Sequence, residues 1–193
     1  MTTIVAVRKD LQACIAADSL SCYGHIRETQ KYKRSDDKID RVGDTFIASA
    51  GEASLGLILR SYFRRPKVKA SFRNCEEIFE TFRRMHAVLK EDFYLNPHGD
   101  DEDSFECSQM ELLIANPYGI FGVYAERSVT EYSRFYAMGS GRDLALGAMY
   151  AIYDRIESAE EIARIGVEAA AEFDDATGLP MTFEVIRLKA VRE

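Results

Sequence analysis

Hydrophobic and polar residues alternate at the start of the chain, as in a half-buried β-strand. The segment Thr3 to Lys9 is rich in β-branched residues, and a polar turn at 9–12 leads into the small, apolar run ACIAADS. Two further extended runs, Lys38 to Val42 and Thr45 to Ala50, flank Gly43-Asp44, a dipeptide typical of tight turns. The pattern therefore predicts two β-hairpins before Gly51.

The apolar spacing then changes to a helical period. One helix is predicted from Ser54 to just before Pro66, and a second from Asn74 to Phe93. The stretch NPHGDDEDS at 96–104 is acidic and predicts a solvated loop. The residues expected to face inward are Leu55, Ile58, Leu59, Tyr62 and Phe63 in the first helix, and Ile78, Phe82, Met85 and Leu89 in the second.

Extended runs return at 110–126, where Pro-Tyr-Gly forms a turn, and at 130–139. A third helix is predicted near Arg142, and a fourth at Ser158, which forms a capping-box pattern with Glu161. A last strand is predicted at 181–191. The apolar faces of these two helices are expected to be Leu144, Leu146, Met149 and Ile152, and then Ile162, Ile165, Ala169 and Phe173.

This order of hairpins and paired helices predicts a layered α+β fold, with helices covering the faces of sheets. A chain of 193 residues without repeats or low-complexity linkers is expected to form one domain, 1–193. Charged residues follow Val7 too early for a signal peptide, and no run approaches the ~18 apolar residues of a membrane span. We therefore expect a cytoplasmic protein without a membrane partner.

Composition narrows the function further. The net charge of −7 argues against nucleic acid as a partner, because a basic surface supplies most of that affinity. The four cysteines show no CxxC spacing and the three histidines are scattered. A zinc site or a Ser-His-Asp arrangement therefore has little support, and no cofactor is expected to be required for the chemistry.

Candidate chemistry lies at the N-terminus, MTTIVAVRKD. Without Met1, Thr2 would carry a hydroxyl and a free α-amine, whose reference pKa of about 8 lets it accept the hydroxyl proton. While Met1 is present, that amine is part of a peptide bond. Removal of Met1 is therefore the expected activation step, although a Met-Thr start by itself is common and carries no weight.

Four further motifs supply groups that suit such a nucleophile. Asp18 follows the small-residue strand and can hold a cation, and DKIDRV places Lys38 on a neighbouring strand. SAGEAS offers the backbone N–H of Gly51, and MGSG offers Ser140. Taken singly, each residue also has a purely structural explanation as a turn cap, a surface lysine, a positive-φ glycine or a helix N-cap.

Taken in order, the motifs resemble the proteasome β-type subunits, particularly the HslV-like branch of the N-terminal-nucleophile hydrolases. The resemblance covers essentially the whole chain, through TTIVAVRKD, AADS, GH, DKIDRV, IASAGEAS, AMGSGRDLALGA, SAEEIA and DDATGLPMTFEVI. It implies a four-layer αββα sandwich, threonine-type endopeptidase activity on protein or peptide substrates, and stacked homo-oligomeric rings of six or seven subunits. It also implies that an ATP-dependent unfoldase can serve as partner.

Two other functions remain open at this point: a non-catalytic ring subunit or scaffold of the same fold, and an amidohydrolase acting on small amides. By position, the resemblance implies a substrate pocket lined by Ser21, Asp36, Ser49 and Ala53, which favours basic or polar side chains over large apolar ones. The implied catalytic residues are Thr2 as nucleophile, Asp18 and Lys38 as its acidic and basic partners, Gly51 as oxyanion donor, and Ser140, Asp174 and Thr177.

The chain departs from the family pattern in two places. It carries about four extra residues before Lys38, so that simple counting would put Arg34 in the lysine's place, and Lys31 and Lys33 are further candidates. We favour Lys38 because DKIDRV then keeps its distance to SAGEAS. The second departure is a loose match at DDATG, where HslV relatives bind a monovalent cation such as Na⁺ through backbone oxygens. The corresponding positions are Ala171, Asp174 and Thr177.

Overall fold

The computed structural model describes residues 2–34, 37–97 and 104–190. Met1, Asp36 and most of the acidic stretch predicted as a loop lie outside the described residues. The helices are α1 (Leu55–Phe63), α2 (Cys75–Asp92), α3 (Arg142–Ile152) and α4 (Ala159–Phe173). The strands are β1 (Thr3–Lys9), β2 (Gln12–Asp18), β3 (Ser21–Tyr23), β4 (Ile26–Glu28), β5 (Ile39–Val42), β6 (Thr45–Ala50), β7 (Glu111–Asn116), β8 (Gly119–Val123), β9 (Val129–Tyr132), β10 (Phe135–Gly139) and β11 (Met181–Arg187).

Two antiparallel sheets form the middle of the molecule. The first has the strand order β10-β1-β2-β11, and the second has the order β5-β6-β7-β8-β9. Helices α3 and α4 cover the outer face of the first sheet, and α1 and α2 cover the outer face of the second. The predicted α+β fold, a four-layer αββα sandwich, is therefore confirmed.

The small-residue strand β2 is buried on both faces, which explains its unbroken apolar sequence. Ala13, Ile15 and Ala17 face the core between the two sheets, whereas Cys14 and Ala16 face the core under α3 and α4. Small side chains let layers approach on both sides of this strand. The end of β2, where the Asp18 side chain lies, is consequently enclosed by packed structure.

The predicted helix starts agree with the capping geometry. The side chain of Asn74 accepts a hydrogen bond from the backbone N–H of Glu77 at 2.9 Å, and Ser158 accepts one from Glu161 at 3.2 Å.

None of the helices in the described part of the chain combines the length and hydrophobicity needed to span a membrane.

The predicted inner faces of α3 and α4 are partly wrong. Phe173 is 75% exposed and Leu144 is 39% exposed. The buried faces instead contain small residues, and a Cβ at Gly166 would lie 2.9 Å from Cγ of Met149. Close packing of α3 against α4 and the sheet selects these small side chains, which contribute little to a hydrophobic pattern.

Two features of the strands differ from the predictions. The extended run at 130–139 is two strands, because the chain crosses at Ser133-Arg134 from the second sheet, which contains β9, to the first, which contains β10. The β3–β4 ribbon, which turns through Gly24 at φ +59°, was not predicted from the sequence. Its strands have only three residues each, which is too short for a clear alternation.

Candidate active site

Thr2 lies directly before β1 and is only 3% exposed. Its carbonyl oxygen accepts a hydrogen bond from the backbone N–H of Ser140 at 2.8 Å. Gly139 has a φ of +96°, and a Cβ at this position would lie 2.0 Å from the same carbonyl oxygen. Only glycine therefore permits this end of β10 to approach Thr2 so closely.

The carboxylate of Asp18 is the centre of the polar groups around Thr2. This residue ends β2 and is fully buried, so its charge requires several donors. Strands β1 and β2 pair along their length, which brings the ends that carry Thr2 and Asp18 together. The donors are the hydroxyl of Thr2 at 2.6 Å, the backbone N–H groups of Thr3 at 3.0 Å, Leu20 at 3.1 Å and Gly178 at 3.0 Å, and the ammonium of Lys38 at 2.7 Å.

Lys38 places its ammonium group beside the hydroxyl of Thr2. It donates to Thr2 Oγ1, and it also donates to Asp18 Oδ1 and, at 2.6 Å, to the carbonyl oxygen of Leu20. Burial lowers the pKa of Lys38, the adjacent Asp18 carboxylate opposes this shift, and the positive charge of Lys33 adds to it. A lysine with a lowered pKa beside a hydroxyl can exchange a proton with it more readily than an exposed lysine can.

The other basic candidates occupy different positions. Lys33 donates to the carbonyl oxygen of Ser19 at 2.6 Å and to Ser21 Oγ at 3.1 Å. The ammonium of Lys31 lies 5.6 Å from the ring centre of Tyr32, and Arg34 is exposed. Of these four side chains, Lys38 is the one that contacts the Thr2 hydroxyl.

Ser140, Asp174 and Thr177 form a second chain of polar contacts beside the first. The Asp174 carboxylate accepts hydrogen bonds from Ser140 Oγ at 2.7 Å and from Thr177 Oγ1 at 2.5 Å. Thr177 Oγ1 also lies 2.6 Å from the hydroxyl of Thr3. The sequence interpretation did not include Thr3, although the paired threonines at the N-terminus were a visible signal. Thr3 links the hydrogen bonds around Asp174 to those around Asp18, because its side chain contacts Thr177 and its backbone N–H donates to Asp18.

A cleft of about 530 Å³ opens over Thr2 and Lys38. Four residues predicted to contact substrate or the oxyanion line it, namely Ser21, Ser49, Gly51 and Ala53, whereas Asp36 lies outside the described residues. The sequence interpretation missed the charged residues of the lining, because they come from the β3–β4 ribbon, loops and a helix that local patterns do not place together. These residues are Glu28, Asp37, Glu52 and Arg60, and Lys33, predicted only as an alternative to Lys38, lines the cleft as well.

The positions predicted for a monovalent cation lie where α4 ends. Ala171 belongs to the last turn of this helix, where carbonyl groups lack partners within the helix and the helix dipole favours a positive charge. The side chains of Asp174 and Thr177 are already paired with each other, so a cation would be held by backbone carbonyl oxygens. Carbonyl oxygens suit a hard monovalent ion. Within the described residues there is no group of three or more His, Cys, Asp or Glu side chains that could hold a metal ion.

Comparison with known proteins places the chain in a family. No family model matches it. The BPH of Thiobacillus denitrificans in complex with epoxomicin is 43% identical, with a TM-score of 0.89 over 97% of this chain and 100% of that chain. A proteasome subunit beta of Nanoarchaeum equitans (strain Kin4-M) is 25% identical over 204 residues, which cover 100% of this chain and 96% of that protein. HslV from Trypanosoma brucei shares the fold, at 20% identity and a TM-score of 0.68 over 96% of this chain and 99% of that chain. The chain thus belongs to the HslV-like branch of the proteasome β-subunit family, which has the N-terminal-nucleophile hydrolase fold.

Proposed function

We propose that the chain is a threonine endopeptidase whose nucleophile is Thr2, exposed by removal of Met1. One observation carries this proposal: the Thr2 hydroxyl contacts both the Asp18 carboxylate and the Lys38 ammonium at a cleft large enough for a peptide segment. A purely structural site would have little use for a hydroxyl, a buried acid and a lysine of lowered pKa in mutual contact.

The reaction proceeds in two halves. In the first, the α-amine of Thr2 takes the proton of Oγ1, and Oγ1 attacks the carbonyl carbon of a substrate peptide bond. The C–N bond then breaks, the leaving amine receives the proton, and an ester remains on Thr2. In the second half, the same amine takes a proton from water, which attacks the ester, releases the new carboxylic acid and restores the threonine hydroxyl.

Lys38 and Asp18 prepare the nucleophile. The ammonium of Lys38 favours the neutral form of a nearby amine over its charged form and stabilises negative charge on Oγ1. Asp18 holds Lys38 in place through a 2.7 Å contact and keeps Thr2 oriented. The backbone N–H of Gly51, at the same cleft, is assigned the developing oxyanion, and such a donor contributes roughly 3 kcal/mol to lowering a barrier.

Ser140, Asp174 and Thr177 are assigned to fixing the backbone of the nucleophile. The backbone N–H of Ser140 donates to the Thr2 carbonyl oxygen at 2.8 Å, and its Oγ, which donates its proton to Asp174, lies 3.3 Å from the same oxygen. The carbonyl groups of Ala171, Asp174 and Thr177 would hold a monovalent cation, which would stiffen this loop when bound. No step of the reaction requires it.

The substrate preference is assigned to the charged lining of the cleft. Glu28, Asp37 and Glu52 can pair with a basic side chain. Of the cations in the lining, Lys38 is paired with Asp18 and Arg60 with Asp40, so the charge of Lys33 is the one that opposes this preference. We therefore expect basic or polar residues before the scissile bond to be cleaved faster than large apolar ones. Profiling cleavage of a peptide library measures this, and a strict preference for large apolar residues would contradict it.

Family membership supports stacked homo-oligomeric rings as the working form, with an ATP-dependent unfoldase as a partner that supplies protein substrates. Ring number and stacking follow from the mass of the particle in solution. A small amidase without a closed chamber would instead run as a monomer or a small oligomer.

Intact-protein mass spectrometry tests the proposal. An epoxyketone offers two electrophilic carbons to the hydroxyl and amine of a terminal threonine, and the BPH of Thiobacillus denitrificans has been solved in complex with epoxomicin. The purified particle should have lost the mass of Met1 and should gain one inhibitor mass per chain, whereas a Thr2→Ala particle should gain none. A particle that keeps Met1, or that takes no inhibitor after losing it, would contradict the proposal and favour a non-catalytic ring subunit.

A further inference from the structure

A second lysine lies in the cleft beside Lys38. Lys33 follows a short 3-10 turn, Gln30–Tyr32. Its partly buried ammonium donates to the carbonyl oxygen of Ser19 at 2.6 Å and to Ser21 Oγ at 3.1 Å. The next carbonyl, that of Leu20, accepts a hydrogen bond from Lys38 at 2.6 Å. Two ammonium groups are thus fixed on consecutive carbonyls of one short segment.

We propose that Lys33 is a positioning residue that acts through its positive charge: it keeps the proton-accepting groups at Thr2 unprotonated near neutral pH. This inference rests on the proposed function of Thr2. Lys33 also holds the wall of the cleft formed by Ser19 to Ser21. A neutral hydrogen-bond donor could hold this wall equally well, so the experiment has to test the effect of the positive charge.

The effect of the charge follows from its surroundings. A fixed cation disfavours a second positive charge nearby, and partial burial strengthens this repulsion relative to water. Burial is the main cause of the lowered pKa of Lys38, and the Lys33 charge adds to it. The α-amine of Thr2, once free, would belong to the residue whose hydroxyl Lys38 contacts, and Thr2, Lys33 and Lys38 line one cleft. The Lys33 charge would therefore favour its neutral form, which is the form that can accept the hydroxyl proton.

Other charged groups face the same space and set the size of the effect. Asp18 opposes the shift of Lys38 directly, and the nearby thiol of Cys22 opposes it more weakly. The remaining charged residues that line the cleft are Glu28, Asp37, Glu52 and Arg60. Because acids and bases are both present, we expect a shift of about half a pH unit when Lys33 loses its charge, rather than several units.

The test is the pH dependence of inactivation by the epoxyketone, followed as adduct mass on Thr2 between pH 5.5 and pH 9.5. Lys33→Gln keeps a hydrogen-bond donor and removes the charge, Lys33→Arg keeps the charge, and Lys31→Gln removes an exposed charge from the same loop. In the plot of inactivation rate against pH, we expect Lys33→Gln to shift the rise on the acidic side to higher pH by about half a pH unit. On that side the inactivation rate should fall roughly threefold, and at high pH it should equal that of the unaltered particle. Lys33→Arg and Lys31→Gln should keep the original profile.

Two results would overturn the inference while the proposed function stands. The Lys33→Gln profile could superimpose on that of the unaltered particle, or it could fall by one factor at every pH, as expected of a residue that only holds the cleft wall. If the unaltered particle itself takes no adduct, the proposed function fails first and the inference fails with it. Size-exclusion elution of each variant verifies that the particle is assembled.

Discussion

The protein contains two polar clusters of similar chemistry in different parts of the fold. The nucleophile cluster, Thr2, Asp18 and Lys38, lies at the ends of strands β1 and β2. The histidine cluster, His86, Glu106 and Ser108, joins helix α2 to the segment before β7. Both contain a hydroxyl, a carboxylate and a basic group within hydrogen-bond distance, so residue types alone do not distinguish them.

The histidine cluster superficially has the composition of a catalytic triad. His86 Nδ1 lies 2.8 Å from Ser108 Oγ, and Nε2 lies 3.0 Å from the carboxylate of Glu106. However, Ser108 is only 2% exposed, and Arg127 donates to its hydroxyl at 3.0 Å and to the carbonyl oxygen of Glu106 at 2.7 Å. On the outer side, Lys90 donates to Glu106 at 2.6 Å.

The difference between the clusters is where the hydroxyl and the acid lie. In the nucleophile cluster the acid is fully buried and the hydroxyl lines a cleft, where a substrate could reach the atom that we propose as the nucleophile. In the histidine cluster the acid is half exposed, and the Ser108 hydroxyl, which is about as buried as Thr2, does not line that cleft but is held between His86 and Arg127. The first arrangement suits catalysis, whereas the second fastens a segment of chain to a helix.

The largest expected effect tests the two hydroxyls directly. Thr2→Ala should lower peptide hydrolysis by at least about a thousandfold, because it removes the attacking atom, while the particle still assembles. Ser108→Ala should leave the rate of hydrolysis within about twofold, since this hydroxyl does not line the cleft over Thr2. Turnover of a fluorogenic peptide measures both. Loss of activity in Ser108→Ala particles of normal size would break the distinction.

The two lysines provide a second test. Lys38→Met leaves the buried Asp18 carboxylate without its counter-ion, and we expect it to lower the free energy of unfolding by about 3–5 kcal/mol. It should also slow adduct formation at Thr2 by about a hundredfold or more. The matched variant Lys90→Met removes a half-exposed ion pair with Glu106, which water screens, so its loss of stability should be much smaller. Chemical denaturation measures the free energy of unfolding of both variants. Equal losses of stability would contradict the inference that the Lys38 ion pair is buried and the Lys90 ion pair is exposed.

A pair of glycines tests how tightly β10 holds the nucleophile cluster. In Gly139→Ala the new Cβ would meet the Thr2 carbonyl oxygen at a positive φ, so we expect a loss of about 2–4 kcal/mol in stability. Gly147→Ala, in helix α3 with open space around it, should raise stability by up to about 1 kcal/mol. Thermal unfolding measures both. A neutral Gly139→Ala variant would show that β10 can move away from Thr2.

The smallest expected effect concerns the histidine cluster and pH. Hydrogen bonds from Lys90 and then from His86 lower the pKa of Glu106 to about 2 from its ordinary value of 4.5. Because the folded-state pKa is the lower one, ionised Glu106 stabilises the fold above pH 4.5, and this contribution disappears as the pH falls toward 2.

We therefore expect the melting temperature of Glu106→Gln at pH 7 to lie at most about 4 °C below that of the unaltered protein. That difference should shrink as the pH falls below 4.5. Asp143→Asn, which alters an exposed carboxylate elsewhere, provides the reference. A melting difference that does not change with pH would contradict this account.

Local sequence patterns determined most of the secondary structure. The strands β1, β2, β5 and β6, the turn between β7 and β8, and the starts of α2 and α4 all follow from alternation, turn residues and capping side chains. Such signals involve neighbours within a few positions, so they survive without knowledge of the fold. The order of motifs also indicated the family, and with it the layered sandwich.

Contacts between distant residues were decided only by the tertiary structure. The link from Thr3 to Thr177 and the position of Lys33 in the cleft join residues that no local pattern places together. Lys38 was expected beside Thr2 only through the family resemblance, which left Lys31, Lys33 and Arg34 as rivals, and the structure shows which of them makes the contact. The same holds for the inner faces of α3 and α4, where close packing favours small residues over large ones.

The physical reason is the way in which burial is achieved. A hydrophobic period shows that a residue is buried, but not what it is buried against. Strand β1 pairs with β2 on one side and with β10 on the other, and this pairing brings Asp18, Ser140 and Thr2 to one point. The sequence determined that strands would form and that a threonine would precede the first of them. The packing of the two sheets and their helices decided which charges that threonine meets.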